Sequence, residues 1–110
     1  MKLNLIAETL RVHPRTILRA ITLKKSPYWA YDYDPDVRVA DVAAAFNCSY
    51  GPFLNAIKTG TPLYTQAEAA RMSRVPLRTF RHRAYRPFAY KSHKIVRYTK
   101  AQIIQIKESL

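Results

Sequence analysis

Two short pairs of residues in this chain carry recognition chemistry: Arg15-Thr16 and Arg78-Thr79, which stand 63 positions apart, each shortly after a proline and each followed by an apolar residue. A guanidinium can bond bidentately to O6 and N7 of guanine in a major groove, and threonine offers both a hydroxyl and a methyl to a base edge. Arg19 follows the first pair, and Arg81, His82 and Arg83 follow the second. These add donors for bases or phosphates. A third basic run, Lys91-Ser92-His93-Lys94, has the composition of a phosphate or minor-groove contact. The chemistry of an enzyme is missing. There are no paired carboxylates, no Cys-His pair, no P-loop and no Gly-rich phosphate loop, so no catalysis is expected. His13 and His93 lack companions at metal-ligand spacing, and neither a metal nor another cofactor is expected. The single cysteine, Cys48, reads as a small buried apolar residue.

The elements that must position these residues come as a repeat. Ile6-Ala7, Leu10, Val12, Ile17-Leu18 and Ala20-Ile21 match Val42-Ala43, Phe46, Cys48, Phe53-Leu54 and Ala56-Ile57 at a shift of 36. A third copy, Ala69-Ala70, Met72, Val75 and Arg78-Thr79-Phe80, matches the first at a shift of 63. Each copy reads as two helices joined by a tight turn, the apolar positions giving one buried face at helical spacing. The first helix is expected over about Asn4–Leu10, and the second from His13-Pro14 to about Thr22, since proline is tolerated in a first turn. Thr65-x-x-Glu68 and Thr99-x-x-Gln102 are capping boxes that mark two further helix starts. Ile103, Ile104 and Ile106 in the last helix are expected to pack on the hairpin before it.

Two aromatic segments repeat as well. Trp29-Ala30-Tyr31 with Val37-Arg38 recurs as Phe88-Ala89-Tyr90 with Val96-Arg97 at a shift of 59. Both read as hairpins, the first turning at Asp34-Pro35-Asp36 and returning through Val37-Arg38-Val39. A helix follows from Asp41. Its Val42, Ala43 and Phe46 close the first unit and open the middle copy, so the units are fused.

On a helical wheel the copies present different outward faces. Arg15, Thr16 and Arg19 point out in the first, with Ile17, Leu18 and Ile21 inward; Arg78, Thr79 and His82 point out in the third, with Leu77, Phe80 and Ala84 inward, and with Arg81, Arg83 and Tyr85 flanking. The middle copy offers Gly51, Pro52 and Asn55, without charge, and reads as a structural spacer.

Charge agrees with a polyanionic partner. The 110 residues hold 19 Lys and Arg against 7 Asp and Glu, a net +12. Residues 63–110 hold 11 of those cations against only Glu68 and Glu108. Asp32, Asp34 and Asp36 near the first hairpin tip would repel DNA and suit self-association with the basic half of another copy. No apolar run approaches the roughly 18 residues of a membrane span, and the expectation is a cytoplasmic, nucleoid-associated protein.

Tyr64-Thr65-x-Ala67-Glu68-Ala69-Ala70-x-Met72-x-x-Val75-Pro76-x-Arg78-Thr79-Phe80, then a hairpin and Arg97-Tyr98-Thr99 before a last helix, resembles the MerR-like and excisionase-like winged helix-turn-helix proteins. The likeness spans about 45 residues of the C-terminal half, and Ile6-Ala7-Glu8, Val12 and Arg15-Thr16-Ile17 extend it to the N-terminal copy. It implies docking of a recognition helix in the major groove and of a wing in the minor groove. It also implies a role as excisionase, architectural factor or repressor of a phage or other mobile element. Neither the effector domain and coiled coil of MerR-like proteins nor a small-molecule effector is expected.

The expected fold class is therefore mainly α with small β-hairpin wings, as tandem fused winged helix-turn-helix units. They divide as 1–46 N-terminal, 39–62 middle with a shared helix, and 63–110 C-terminal. Double-stranded DNA is the expected partner, two readers occupying major grooves about 34 to 36 Å apart. A protein-interaction role, or stacking of the many aromatic rings on single-stranded DNA or RNA, is the alternative.

Overall fold

The structure, a computed structural model, describes residues 1–22, 34–83, 85–92 and 94–110. Trp29, Tyr31, Asp32, Ala84 and His93 thus lie outside the described residues, and with them the segment expected to be the aromatic strand of the first hairpin. Two compact units, Met1–Pro62 and Leu63–Leu110, divide the chain. The whole is mainly helical, with one small antiparallel sheet among the described residues.

In the first unit four helices among the described residues enclose a core: α1 (Leu3–Leu10), α2 (Pro14–Thr22), α3 (Val39–Ala45) and α4 (Tyr50–Thr59). Helix α1 packs on α2 and α4, and α3 packs on α2 and α4. The side chains of Leu3, Ile6, Leu10, Ile17, Val42, Phe46, Phe53 and Ile57 are fully buried between them.

The second unit builds its core from both kinds of element. Helices α5 (Gln66–Ser73), α6 (Leu77–Arg83) and α7 (Lys100–Glu108) surround strands β1 (Tyr64–Thr65), β2 (Ala89–Ser92) and β3 (Ile95–Tyr98). Strand β3 lies between β1 and β2, antiparallel to both, with Tyr98 opposite Tyr64 and Arg97 opposite Ala89. A register shift between Tyr90 and Ser92 bends the outer strand of the hairpin. Ala69, Ala70, Val75, Phe80, Val96, Tyr98, Ile103 and Ile106 form one cluster.

Both capping boxes are formed. Thr65 Oγ1 accepts from the Glu68 N–H at 3.2 Å while Glu68 Oε1 accepts from the Thr65 N–H at 3.0 Å, and Thr99 and Gln102 repeat this at 3.2 and 2.9 Å. Each box satisfies two otherwise orphaned backbone donors, fixing where α5 and α7 begin.

The repeat read from apolar spacing reappears in the backbone. Arg11, Asn47 and Arg74 all have positive φ, at 58, 55 and 61°, and they stand at shifts of 36 and 63. The next residue donates its N–H back to the helix just ended: Val12 to Ala7, Cys48 to Ala43 and Val75 to Ala70, at 3.1, 2.8 and 3.0 Å. A left-handed residue followed by that bond is a Schellman-type stop, which reverses the chain within one turn. Ile17, Phe53 and Phe80, equivalent positions in the three second helices, are each fully buried.

Three details differ from the expectations. The segment Val37-Arg38-Val39 forms no strand among the described residues. Val37 donates to the Met1 carbonyl at 2.8 Å, Asp36 bridges Lys2, and Val39 already begins α3. The extended partner of this segment is the N-terminus, and the turn into α3 comes too soon for a strand. In the third copy the buried position matching Leu10 and Phe46 is Ser73, while Met72 is exposed. The Ser73 hydroxyl bonds the Ala70 carbonyl at 3.1 Å, which lets a polar side chain occupy an apolar site. Ile104 is exposed, because Ile103 and Ile106 share the face that meets the core and Ile104 lies a further 100° around the helix.

Candidate nucleic-acid interface

Helix α6 is anchored by one residue and surrounded by cations. Phe80 is fully buried, stacked at a tilt on Tyr85 with ring centroids 4.9 Å apart and meeting Tyr98 edge-on at 5.3 Å. Such pairs contribute about 0.5–1.5 kcal/mol beyond burial, and here they fix the rotation of α6 about its axis. With Phe80 inward, Arg78, Arg81, His82 and Arg83 are exposed and Thr79 is half-buried. The Tyr98 hydroxyl donates to the Tyr85 carbonyl at 2.9 Å, tying β3 to the chain just past α6. Arg83 Nη1 donates to the Tyr85 hydroxyl at 3.3 Å, which draws that arginine toward the flank.

The β2–β3 hairpin carries the second basic feature. Lys91 and Lys94 are exposed at its tip, where the Ser92 hydroxyl accepts from the Lys94 N–H at 3.3 Å. The tip of the hairpin is thus held by a local side-chain bond of the kind that shapes turns. Arg81 of α6 and Lys94 of the hairpin line one common cleft. Arg97, absent from the expected site, lines it too, although its side chain is almost entirely buried.

In the first unit α2 presents a quieter version of the same face. Ile17 is buried and Arg19 is exposed, while Arg15 and Thr16 are half-buried, as are Leu18 and Ile21. The N–H of Arg15 donates to His13 Nδ1 at 3.1 Å, so His13 caps the start of α2. Helix α4 exposes Gly51, Pro52 and Asn55 at the equivalent places. An uncharged surface there offers nothing to a phosphate.

Asp34 and Asp36 have intramolecular partners. Asp34 Oδ1 accepts from the Asn4 N–H at 2.8 Å at the start of α1, and the exposed Asp36 pairs with the Met1 amine at 3.7 Å and Lys2 Nζ at 3.6 Å. Asp34 acts as a cap supplied from 30 residues away, satisfying a donor that α1 leaves open.

The rings of Phe46, Phe53, Phe80 and Tyr98 are buried and unavailable to stack on bases. Tyr50 and Tyr90 are exposed. Among the described residues no three His, Cys, Asp or Glu side chains gather where they could hold a metal ion, and no helix is long and apolar enough to cross a membrane. No family model, no curated protein and no solved structure matches this chain.

Proposed function

We propose that the chain binds double-stranded DNA sequence-specifically, as tandem winged helix-turn-helix units. In this reading α6 is the principal recognition helix and α2 a second one, the β2–β3 hairpin is a wing, and α4 is a spacer. The observation that carries it is the face of α6, where Arg78, Arg81, His82 and Arg83 are exposed around a buried Phe80. A helix docked in a major groove needs that combination: a rotation fixed by packing, guanidinium forks for guanine edges and further cations for the flanking phosphates. The excess of +12, concentrated after residue 62, supplies the long-range attraction. The role this suits is a small transcriptional regulator or an excisionase-type architectural factor of a phage or other mobile element.

The test is selection of bound duplexes from a random library, followed by footprinting of the winner at two salt concentrations. Two protected motifs about one helical turn apart are expected if α2 and α6 both read bases. Affinity should fall roughly 10³–10⁵-fold between 50 and 200 mM salt if six to ten phosphates are neutralised. No enrichment, with weak salt dependence, would overturn the proposal and favour a protein partner.

A further inference from the structure

We infer that Tyr85 is a positioning residue of the basic face: its hydroxyl holds Arg83 on one flank of α6, where the guanidinium meets a backbone phosphate and not a base. The inference rests on the DNA-binding reading for the phosphate, and on the fold alone for the placement of Arg83.

The rotation of α6 decides where each cation emerges. At about 100° per residue from the buried Phe80, Arg78 and His82 lie about 160° away on either side, and Arg83 only about 60° away. Arg78 and His82 therefore point straight off the helix, toward the floor of a groove that receives it. Arg83 leaves close to the packed side, on the flank of Thr79 and opposite that of Arg81.

Tyr85 is a fixed point on that flank. Its ring centroid lies 4.9 Å from that of Phe80, and its carbonyl accepts from the Tyr98 hydroxyl at 2.9 Å, so side chain and backbone are both tied to the core. The hydroxyl at the end of this anchored ring accepts from Arg83 Nη1 at 3.3 Å. A phenol is neutral. The bond therefore orients the exposed guanidinium without cancelling its charge, and it occupies one of five N–H donors.

A phosphodiester oxyanion suits a charged, oriented guanidinium beside a helix that fills a groove. Holding the side chain before DNA arrives spares part of the entropy lost when a flexible arginine is ordered on binding. Arg83 then adds affinity and fixes register, and base preference is left to the residues that point outward.

The test uses the full chain with Tyr85→Phe and Arg83→Gln, singly and together. Tyr85→Phe keeps the ring on Phe80 and the carbonyl that Tyr98 holds. In the free protein the nitrogen–proton NOE of Arg83 Nε should exceed those of Arg78 and Arg81, and should fall to their level in Tyr85→Phe. Equal values in the unaltered chain overturn the inference whether or not DNA binds. On the selected duplex Tyr85→Phe should lower affinity about 3- to 10-fold, alike for matched and single-substituted sequences, and by under about twofold once Arg83 is Gln. Replacing phosphates one at a time by neutral methylphosphonates should reveal one linkage that costs about 10-fold in the unaltered chain and under about twofold in Arg83→Gln. A Tyr85→Phe loss that varies with base sequence, or that persists in the Arg83→Gln background, overturns the positioning role and leaves the DNA-binding reading standing. An Arg83 that Tyr85 orders in a chain that binds no duplex overturns the phosphate contact together with the DNA-binding reading.

Discussion

The hydroxyl of Tyr98 donates to the backbone carbonyl of Tyr85 at 2.9 Å, joining the central strand of the sheet to the chain just past the basic helix. Tyr98 is also the edge partner of Phe80, so one side chain holds both the end of α6 and its buried anchor. Tyr98→Phe keeps the ring and removes only the bond. A loss of about 1 kcal/mol is expected, or roughly 4–8 °C in Tm, measured by thermal unfolding. An unchanged Tm would mean that the bond contributes nothing to holding α6.

Asp34→Ala should destabilise the first unit by about 1 kcal/mol, the usual loss when a capping acceptor is removed. The effect follows from its 2.8 Å bond to the Asn4 N–H. It bears on the idea that Asp32, Asp34 and Asp36 mediate self-association, because reversing all three charges would also uncap α1. Asp36→Asn is the cleaner probe, since Asp36 is exposed and bound only by ion pairs at 3.6 and 3.7 Å in the described contacts. If the acidic group contacts another copy, Asp36→Asn lowers cooperativity on DNA at unchanged Tm, as read from a binding isotherm and a melt.

The features legible in the sequence are those set by local chemistry. Thr65 with Glu68 and Thr99 with Gln102 announce their helix starts because both partners of each box lie within one turn. The repeated stripe that buries Ile17, Phe53 and Phe80 is legible for the same reason: apolar spacing sets helix rotation. The exposure of Arg78, Arg81 and His82 follows directly. Long-range pairing is what spacing does not reveal. Val37 reads as a hairpin residue by its match to Val96, yet its partner is Met1, 36 positions away. Arg97 is seen in the repeat but not placed in the site, because an arginine in a short strand reads as a surface residue. It is buried because β3 is the central strand, with β1 and β2 on either side.

Cys48 should be nearly inert in the folded chain. Burial pushes its thiol up to about 12, and its Sγ lies 3.6 Å from the Phe46 carbonyl. Since the thiolate is the reactive form, alkylation at pH 8 should run more slowly than for a free cysteine and recover on unfolding. The raised value also sets a pH window. Stability from the protonated thiol is complete below the ordinary value of about 8.5 and is lost as pH rises from there toward about 12. Tyr98, whose hydroxyl is also raised by burial, acts in the same direction at higher pH. Cys48→Val should therefore flatten the alkaline fall in Tm without removing it.

Gly51 stands in the first turn of α4 at the position held by Arg15 and Arg78 in the other copies, and a Cβ there would meet nothing within 4 Å. Gly51→Ala should raise stability by about 0.5–1 kcal/mol through reduced backbone entropy of the unfolded chain. Gly60 is the control. It ends α4 at φ +69°, and the same substitution there should destabilise despite equally open space. Paired denaturant titrations separate the two signs.

Arg78 and Lys94 are both exposed and both cationic, and the proposed DNA-binding reading gives them different work. Arg78 lies early in α6, where a docked helix presents side chains to base edges, and Lys94 lies at the hairpin tip beside the cleft shared with Arg81 and Arg97. Arg78→Ala should cost about 1–3 kcal/mol on the selected duplex and relax preference at one base position; Arg15→Ala should do the same at the second motif. Lys94→Ala should weaken all duplexes alike and lower the slope of log affinity against log salt by about one. The contrast is measured by competing matched and single-substituted duplexes at two salt concentrations. Uniform loss across sequences for Arg78→Ala would reassign it to the backbone and leave base selection to His82, Arg81 and the deformability of the duplex.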